Sequence, residues 1–163
     1  MTPLEKVLTY QNQDAVWRFC ENFEVTQKEA NSIFIELKKL LWLCAVIKLE
    51  REQLIENLPE RLVIDETILI IDEMWHNFIC FTKEYNDFCM DYFGFFIHHY
   101  PATKSTNEKT KKQLKINPNI QIEKRRIQYD YIYEKLGEKT LIKWYDTFPT
   151  KYTKEYIKTI RKK

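Results

Sequence analysis

The chain has three histidines, His76, His98 and His99, and all of them fall between positions 76 and 99. Asp72 precedes His76 by four residues, so on a helix the two side chains share one face. Tyr85, Cys89 and Gly94 follow before the histidine pair. Imidazole and thiolate suit zinc and iron, and a carboxylate can either bind such an ion or orient an imidazole. Asp72, His76, Cys89 and one of His98 or His99 are therefore a candidate ligand set for zinc or iron. Asp72 and His76 alone could instead act as an oriented general base. The plainer alternative is a largely buried His76 that turns toward the His98–His99 segment and bonds to Asp72, with Trp75 and Cys89 as packing. Neither Cys-x-x-Cys nor His-Glu-x-x-His occurs.

A second feature is a charge gradient. Residues 1–100 hold nine Lys and Arg against 17 Asp and Glu, a balance of −8, whereas residues 101–163 hold 17 against seven, a balance of +10. The two balances sum to the net charge of +2. A basic segment can meet nucleic acid at its phosphates. Lys124, Arg125 and Arg126, beside Tyr129, Tyr131 and Tyr133, are the candidate contacts, since aromatic rings stack on bases. The competing reading is that the basic part folds against the acidic part.

The elements that must position these residues read as helices. With 44% hydrophobic and 31% charged residues the composition is that of a globular chain, and one domain over 1–163 suits the length. Only Gly94 and Gly137 are glycine; sheet-rich folds need many tight turns, which usually take Gly. Thr2-Pro3-Leu4-Glu5 and Thr26-Gln27-Lys28-Glu29 read as capping boxes, with a short helix from about Gln13 between them. The helix from Thr26 is apolar nearly all round over Leu40–Ile47, the mark of a central buried helix. Asp65 and Thr82 can cap the next two helices, which carry Asp72, Trp75 and His76, then Tyr85 and Cys89, with Gly94 as the stop. Residues 103–117, lysine-rich and followed by Pro118, read as a mobile basic loop. Helices resume near Glu123 and again around Leu141–Tyr145, and a basic tail, Tyr152 to Lys163, ends the chain. The expectation is an irregular all-α bundle of six or seven helices, with Phe95–Ile97 as the one tolerable strand. The first residues lack a basic, then apolar leader, and Leu40–Ile47 falls far short of the roughly 20 apolar residues of a membrane span. Cys20, Cys44, Cys80 and Cys89 lack a secreted spacing and read as buried free thiols. A cytoplasmic location without membrane contact is expected.

Asp72-x-x-Trp75-His76, Tyr85-x-x-Phe88-Cys89, Gly94 and His98 together resemble the core module of the glycine-rich-domain-containing-protein-like family, known from plants and with short bacterial relatives. The resemblance covers roughly residues 60–101. Leu136-Gly137-Glu138 and Leu141-x-x-Trp144-Tyr145 are similar to the short bacterial members. Plant members carry Trp-His-Thr-His, where Phe78 here replaces the second His, and the glycine-rich tail is absent. The resemblance implies a helical module rather than a reaction, with Trp75, Tyr85 and Gly94 as motif residues. The function expected is that of a small non-enzymatic interaction or accessory protein with a protein partner. A metal-binding protein using Asp72, His76, Cys89 and His98 or His99 is the first alternative, and a nucleic-acid-binding module is the second.

Overall fold

A computed structural model describes residues 2–100 and 103–162, without the side chains of Thr106, Asn107, Lys109 and Lys111. Pro101 and Lys163, and the side chains of two lysines of the expected loop, Lys109 and Lys111, lie outside that description. The elements in chain order are α1 (Leu4–Leu8), α2 (Gln13–Asn22), α3 (Gln27–Glu52), a 3₁₀ turn (Glu66–Ile68), α4 (Leu69–Ile79), α5 (Thr82–Phe93), α6 (Lys104–Ile116), α7 (Ile120–Leu136), α8 (Glu138–Ile142), a π turn (Lys143–Thr147), α9 (Phe148–Lys151) and α10 (Lys154–Ile160). The all-α expectation holds: among the described residues the only ladder pairing is one isolated bridge, Phe23 to Arg161. Phe95–Ile97, a bend followed by irregular chain, forms no strand. Helices outnumber the expected six or seven, because several are short. Among the described residues no helix is long and apolar enough to cross a membrane.

Helix α3 is the axis of the bundle, with α1, α2, α4 and α7 packed around it. Its capping box forms: Thr26 Oγ1 accepts from the Glu29 amide at 3.2 Å, and Glu29 Oε2 accepts from the Thr26 amide at 2.9 Å. Lys151, and then the Thr26 amide, hold the Glu29 carboxyl down to about 2. The Leu40–Ile47 stretch is buried except for a partly covered Cys44. Twenty-six residues give α3 a length of about 39 Å, enough for helices to stack along it.

Some expected caps do not form. Thr2 does not cap α1, where Pro3 takes the cap position without a side-chain bond; the Thr2 carbonyl instead accepts from Trp42 Nε1 at 3.0 Å. Thr82 is the first residue of α5, not its cap. Gly94 does stop α5, in the left-handed region at φ 79° that a side chain would strain. The C-terminal end of α1 is held from outside: buried Lys38 donates to the carbonyls of Leu8 and Tyr10 at 2.6 and 2.7 Å. Burial pushes this ammonium down to about 8.

The segment expected as a loop at 103–117 is a helix, α6. It contains neither Gly nor Pro, and Lys, Gln, Glu and Leu are good helix formers. Lysine density sets how much a segment buries, not whether it coils. Of the α6 side chains described, Thr110 and Leu114 alone are partly covered. Such a helix has little packing to protect it from local opening. Limited trypsin digestion of the native protein is expected to cut first between Lys104 and Lys115. First cuts elsewhere would show α6 to be firmly docked.

The expected basic tail is docked as well. Tyr152, Ile157 and Ile160 are buried, and the end of α10 bonds to the end of α2 through Glu24 N to Ile160 O at 2.7 Å and Lys162 N to Asn22 O at 2.8 Å. Upstream, Pro149 has no amide hydrogen, and its ring would crowd the carbonyl four residues back. The π turn over Lys143–Thr147 widens the helix at that point, and it carries buried Trp144 inward.

Of the twelve ion pairs among the described residues, seven join the acidic and basic parts of the chain. Lys124–Glu60 (3.1 Å), Arg125–Asp65 (2.9 Å), Lys135–Glu50 (2.7 Å), Lys143–Glu36 (2.8 Å), Lys151–Glu29 (2.5 Å), Lys154–Glu66 (2.7 Å) and Arg161–Glu73 form this set. Apart from Lys143–Glu36, whose carboxylate is buried, these pairs are at least partly exposed and stabilise by roughly 0–1 kcal/mol each, so they orient the two parts more than they hold them together.

Candidate metal centre and adjoining cleft

Helix α4 carries Asp72 in its first turn and His76 one turn later, so both side chains leave the same face. The third member comes from the irregular chain after α5. Trp75 Nε1 donates to Tyr85 Oη at 3.0 Å, and Tyr85 Oη donates to the Ile97 carbonyl at 2.7 Å. This relay ties the segment after α5 to α4 and α5. Along that segment Ile97 is buried and His99 partly covered, whereas Phe96, His98 and Tyr100 are exposed.

His99 Nε2 lies 2.9 Å from Asp72 Oδ1, and His76 Nε2 lies 3.8 Å from Asp72 Oδ2. The two imidazole centroids are 4.6 Å apart, and the edge of Trp75 closes on His99 at 4.7 Å. Donor atoms of Asp72, His76 and His99 all lie within 4.8 Å of one another. Asp72 and His99 are mostly covered, at 16% and 14% side-chain exposure, whereas His76 is 51% exposed. The expectation of a buried His76 bonded to Asp72 is thus corrected. His99 takes the covered place and the short contact, because it is pinned by the Tyr85 relay and His76 lies at the helix rim.

The structure separates the remaining candidates from this triad. His98 is exposed and leans on Phe96, with ring centroids 5.0 Å apart. Cys89 is fully buried beside Tyr85 and the Ile97 carbonyl, and burial pushes its thiol up, which disfavours the thiolate a metal needs. Phe78, in the position of a would-be second histidine, is wholly buried in an aromatic cluster with Tyr10, Phe34, Tyr85 and Phe88. A side chain there could not reach the triad. All four cysteines are free, but of the expected buried thiols only Cys89 is fully buried; Cys20 and Cys44 are partly covered and Cys80 is exposed.

The covered side of the triad opens onto a cleft of about 500 Å³ that Trp75 and His99 help to line. One wall is the last turns of α3, where Ile47, Lys48 and Arg51 share a face at helical spacing. Arg51 Nη2 donates to the Pro59 carbonyl at 2.7 Å and also to the Glu60 carbonyl, which folds the 53–65 segment over the cleft. Sequence reading did not single out these residues. The signal was present: the apolar run ends at Ile47 and a cation follows at once, then another one turn on.

Sequence reading also passed over Glu36, which is 2% exposed. It accepts from Trp144 Nε1 at 2.9 Å and from Lys143 Nζ at 2.8 Å, and Lys39 lies 3.1 Å away. A charged residue on the core side of α3, between Ile33 and Leu37, was the available signal. The basic patch is differently placed from its sequence reading. Lys124 and Arg125 are engaged by Glu60 and Asp65, Tyr129 packs on Tyr145 at 4.3 Å, and the Tyr131 hydroxyl donates to Glu50 at 2.6 Å. Arg126 and Tyr133 are the exposed members with no such contact among the described residues.

No curated protein and no solved structure matches the chain. The resemblance to the glycine-rich-domain-containing-protein-like family is overturned, because a different family model covers the whole module that carried it. Local packing is enough to account for that spacing: Trp75 and Tyr85 are joined by a hydrogen bond and Gly94 is a helix stop. The matching model extends over residues 9–131, most of the chain and every member of the triad, and the chain belongs to the UCP032817-like family.

Proposed function

We propose that this chain is a metal-binding protein that holds a divalent zinc or iron ion at Asp72, His76 and His99. The observation that carries the reading is the convergence of three donor atoms from two separate segments to within 4.8 Å. A tetrahedral ion with bonds of about 2.0–2.1 Å sets its ligand atoms about 3.3 Å apart. The contacts of 2.9 and 3.8 Å around Asp72 bracket that spacing, so small side-chain shifts suffice. Two imidazoles and one carboxylate suit zinc and non-haem iron alike. Three protein ligands leave an open position for water or a ligand, and the exposure of His76 leaves that face accessible. A cytoplasmic setting agrees with four free thiols.

This reading takes precedence over an interaction role and over nucleic-acid binding because it has a located site, whereas the strongest cations of the basic patch are already paired. Elemental analysis of protein purified without chelator, dialysed extensively, is expected to find near one zinc or iron per chain. Asp72→Ala, His76→Ala and His99→Ala are each expected to lose it, while His98→Ala and Cys89→Ser keep it. Wild-type protein that takes up neither ion, even when reconstituted and dialysed, would overturn the reading.

A further inference from the structure

We propose that the cleft beside the triad binds a small organic anion with a flat apolar body, an aryl carboxylate in chemical class. The floor of the cleft is apolar, formed in part by buried Ile47, Trp75 and Ile97. Its rim carries three cations, Lys48, Arg51 and Arg61, all exposed. None of the three has a carboxylate within ion-pair distance among the described residues, although they lie in the part of the chain that carries an excess of acids. The one carboxylate on the lining, Glu60, is bonded to Lys124 at 3.1 Å. Lys48 Nζ stands 3.6 Å from the centroid of the Phe95 ring, which fixes a positive charge directly above an aromatic wall. Arg51 spends two donors on backbone carbonyls and retains others of its five.

An apolar pocket with a few convergent polar groups is the usual form of a small-molecule site. Here the charged groups without an ion-pair partner among the described residues share one sign, and the body of the pocket is apolar and partly aromatic. A neutral ligand would leave the cations unused, and an inorganic anion would leave the floor wet. An aryl carboxylate satisfies both, its ring against Trp75 and Ile47 and its charge at Lys48 and Arg61. The volume of about 500 Å³ admits a two-ring molecule. The proposal names the ligand class of the cleft that adjoins the metal site, but rests on cleft residues and does not require the metal.

The test uses 2-naphthoate as probe, with neutral 2-naphthamide beside it, titrated calorimetrically into the full chain at low salt. Saturable binding of naphthoate is expected, with naphthamide about tenfold weaker or worse and with raised salt weakening naphthoate alone. Lys48→Gln combined with Arg61→Gln is expected to weaken naphthoate about tenfold while leaving naphthamide unchanged. Arg61→Gln alone should fall between the two, and both residues are exposed, so the variants should keep the wild-type circular dichroism. His76→Ala should retain naphthoate binding whatever it does to metal, which separates failure of this proposal from failure of the metal reading. Equal affinity for the two probes, wild-type affinity in the double variant, or no saturable naphthoate binding would each overturn the proposal.

Discussion

Replacing Glu36 by alanine is expected to lower the unfolding free energy by about 3–5 kcal/mol, the range for breaking a buried charge pair from one side. Glu36 is the acceptor for an indole N–H and for two ammonium groups; its removal strands the indole, while Lys39 and Lys143 lose their counter-charge but keep the hydroxyls of Thr140 and Ser32. Trp144 is wholly buried, so its Nε1–H would lose its partner without gaining water. Lys39 and Lys143 retain 19% and 31% side-chain exposure and can recover some hydration, which argues for the lower end of the range. Glu36→Gln keeps an acceptor for the indole and should cost distinctly less. Urea unfolding followed by circular dichroism measures both. An unchanged midpoint for Glu36→Ala would show that the buried carboxylate is dispensable. A typical domain has only 5–15 kcal/mol in hand, so the expected loss is a large share of the total.

Truncating Phe78 to alanine should cost a similar amount, about 3–5 kcal/mol, through lost burial and the void left behind. The ring is inaccessible to solvent and meets Phe34 and Tyr85 edge-on, at centroid distances of 5.2 and 5.3 Å. Phe78→Leu refills most of the volume and should cost less than half as much. Because Tyr85 also positions the His99 segment, Phe78→Ala should weaken metal retention even in the fraction that stays folded. The comparison of the two variants by denaturant unfolding checks the packing argument; equal losses would refute it.

What the sequence made legible was what depends on near neighbours. The Thr26 box, the Gly94 stop and the shared face of Asp72 and His76 each need only positions a few residues apart. The choice between His98 and His99 needed more. Both are imidazoles on one segment, and His99 rather than His98 is covered because of how that segment docks, with Ile97 buried and its carbonyl bonded to Tyr85 twelve residues earlier. Cys89 read as a ligand because a thiolate suits zinc or iron and the residue lies between His76 and His98, but its side chain is wholly buried in the core. The Thr2 box failed for a local reason, since Pro3 occupies the cap position and the Thr2 carbonyl serves Trp42. The loop expected at 103–117 failed because polarity and Pro118 were weighed above helix propensity. The charge gradient was fully visible, but whether its halves pair or face a polyanion depends on contacts between residues 60 or more positions apart.

The anchoring of Glu36 also bears on where this protein can be cut. Residues 9–131 mark the family, yet the indole and the ammonium that Glu36 holds on the far side of the bundle belong to residues 144 and 143. One carbonyl that receives Lys38 belongs to residue 8. A fragment trimmed to the family boundaries would carry a buried carboxylate left with Lys39 as its one partner and a lysine with half of its acceptors gone. The unit that folds is therefore wider than the unit that the family shares, and the extra length on both sides is part of the core.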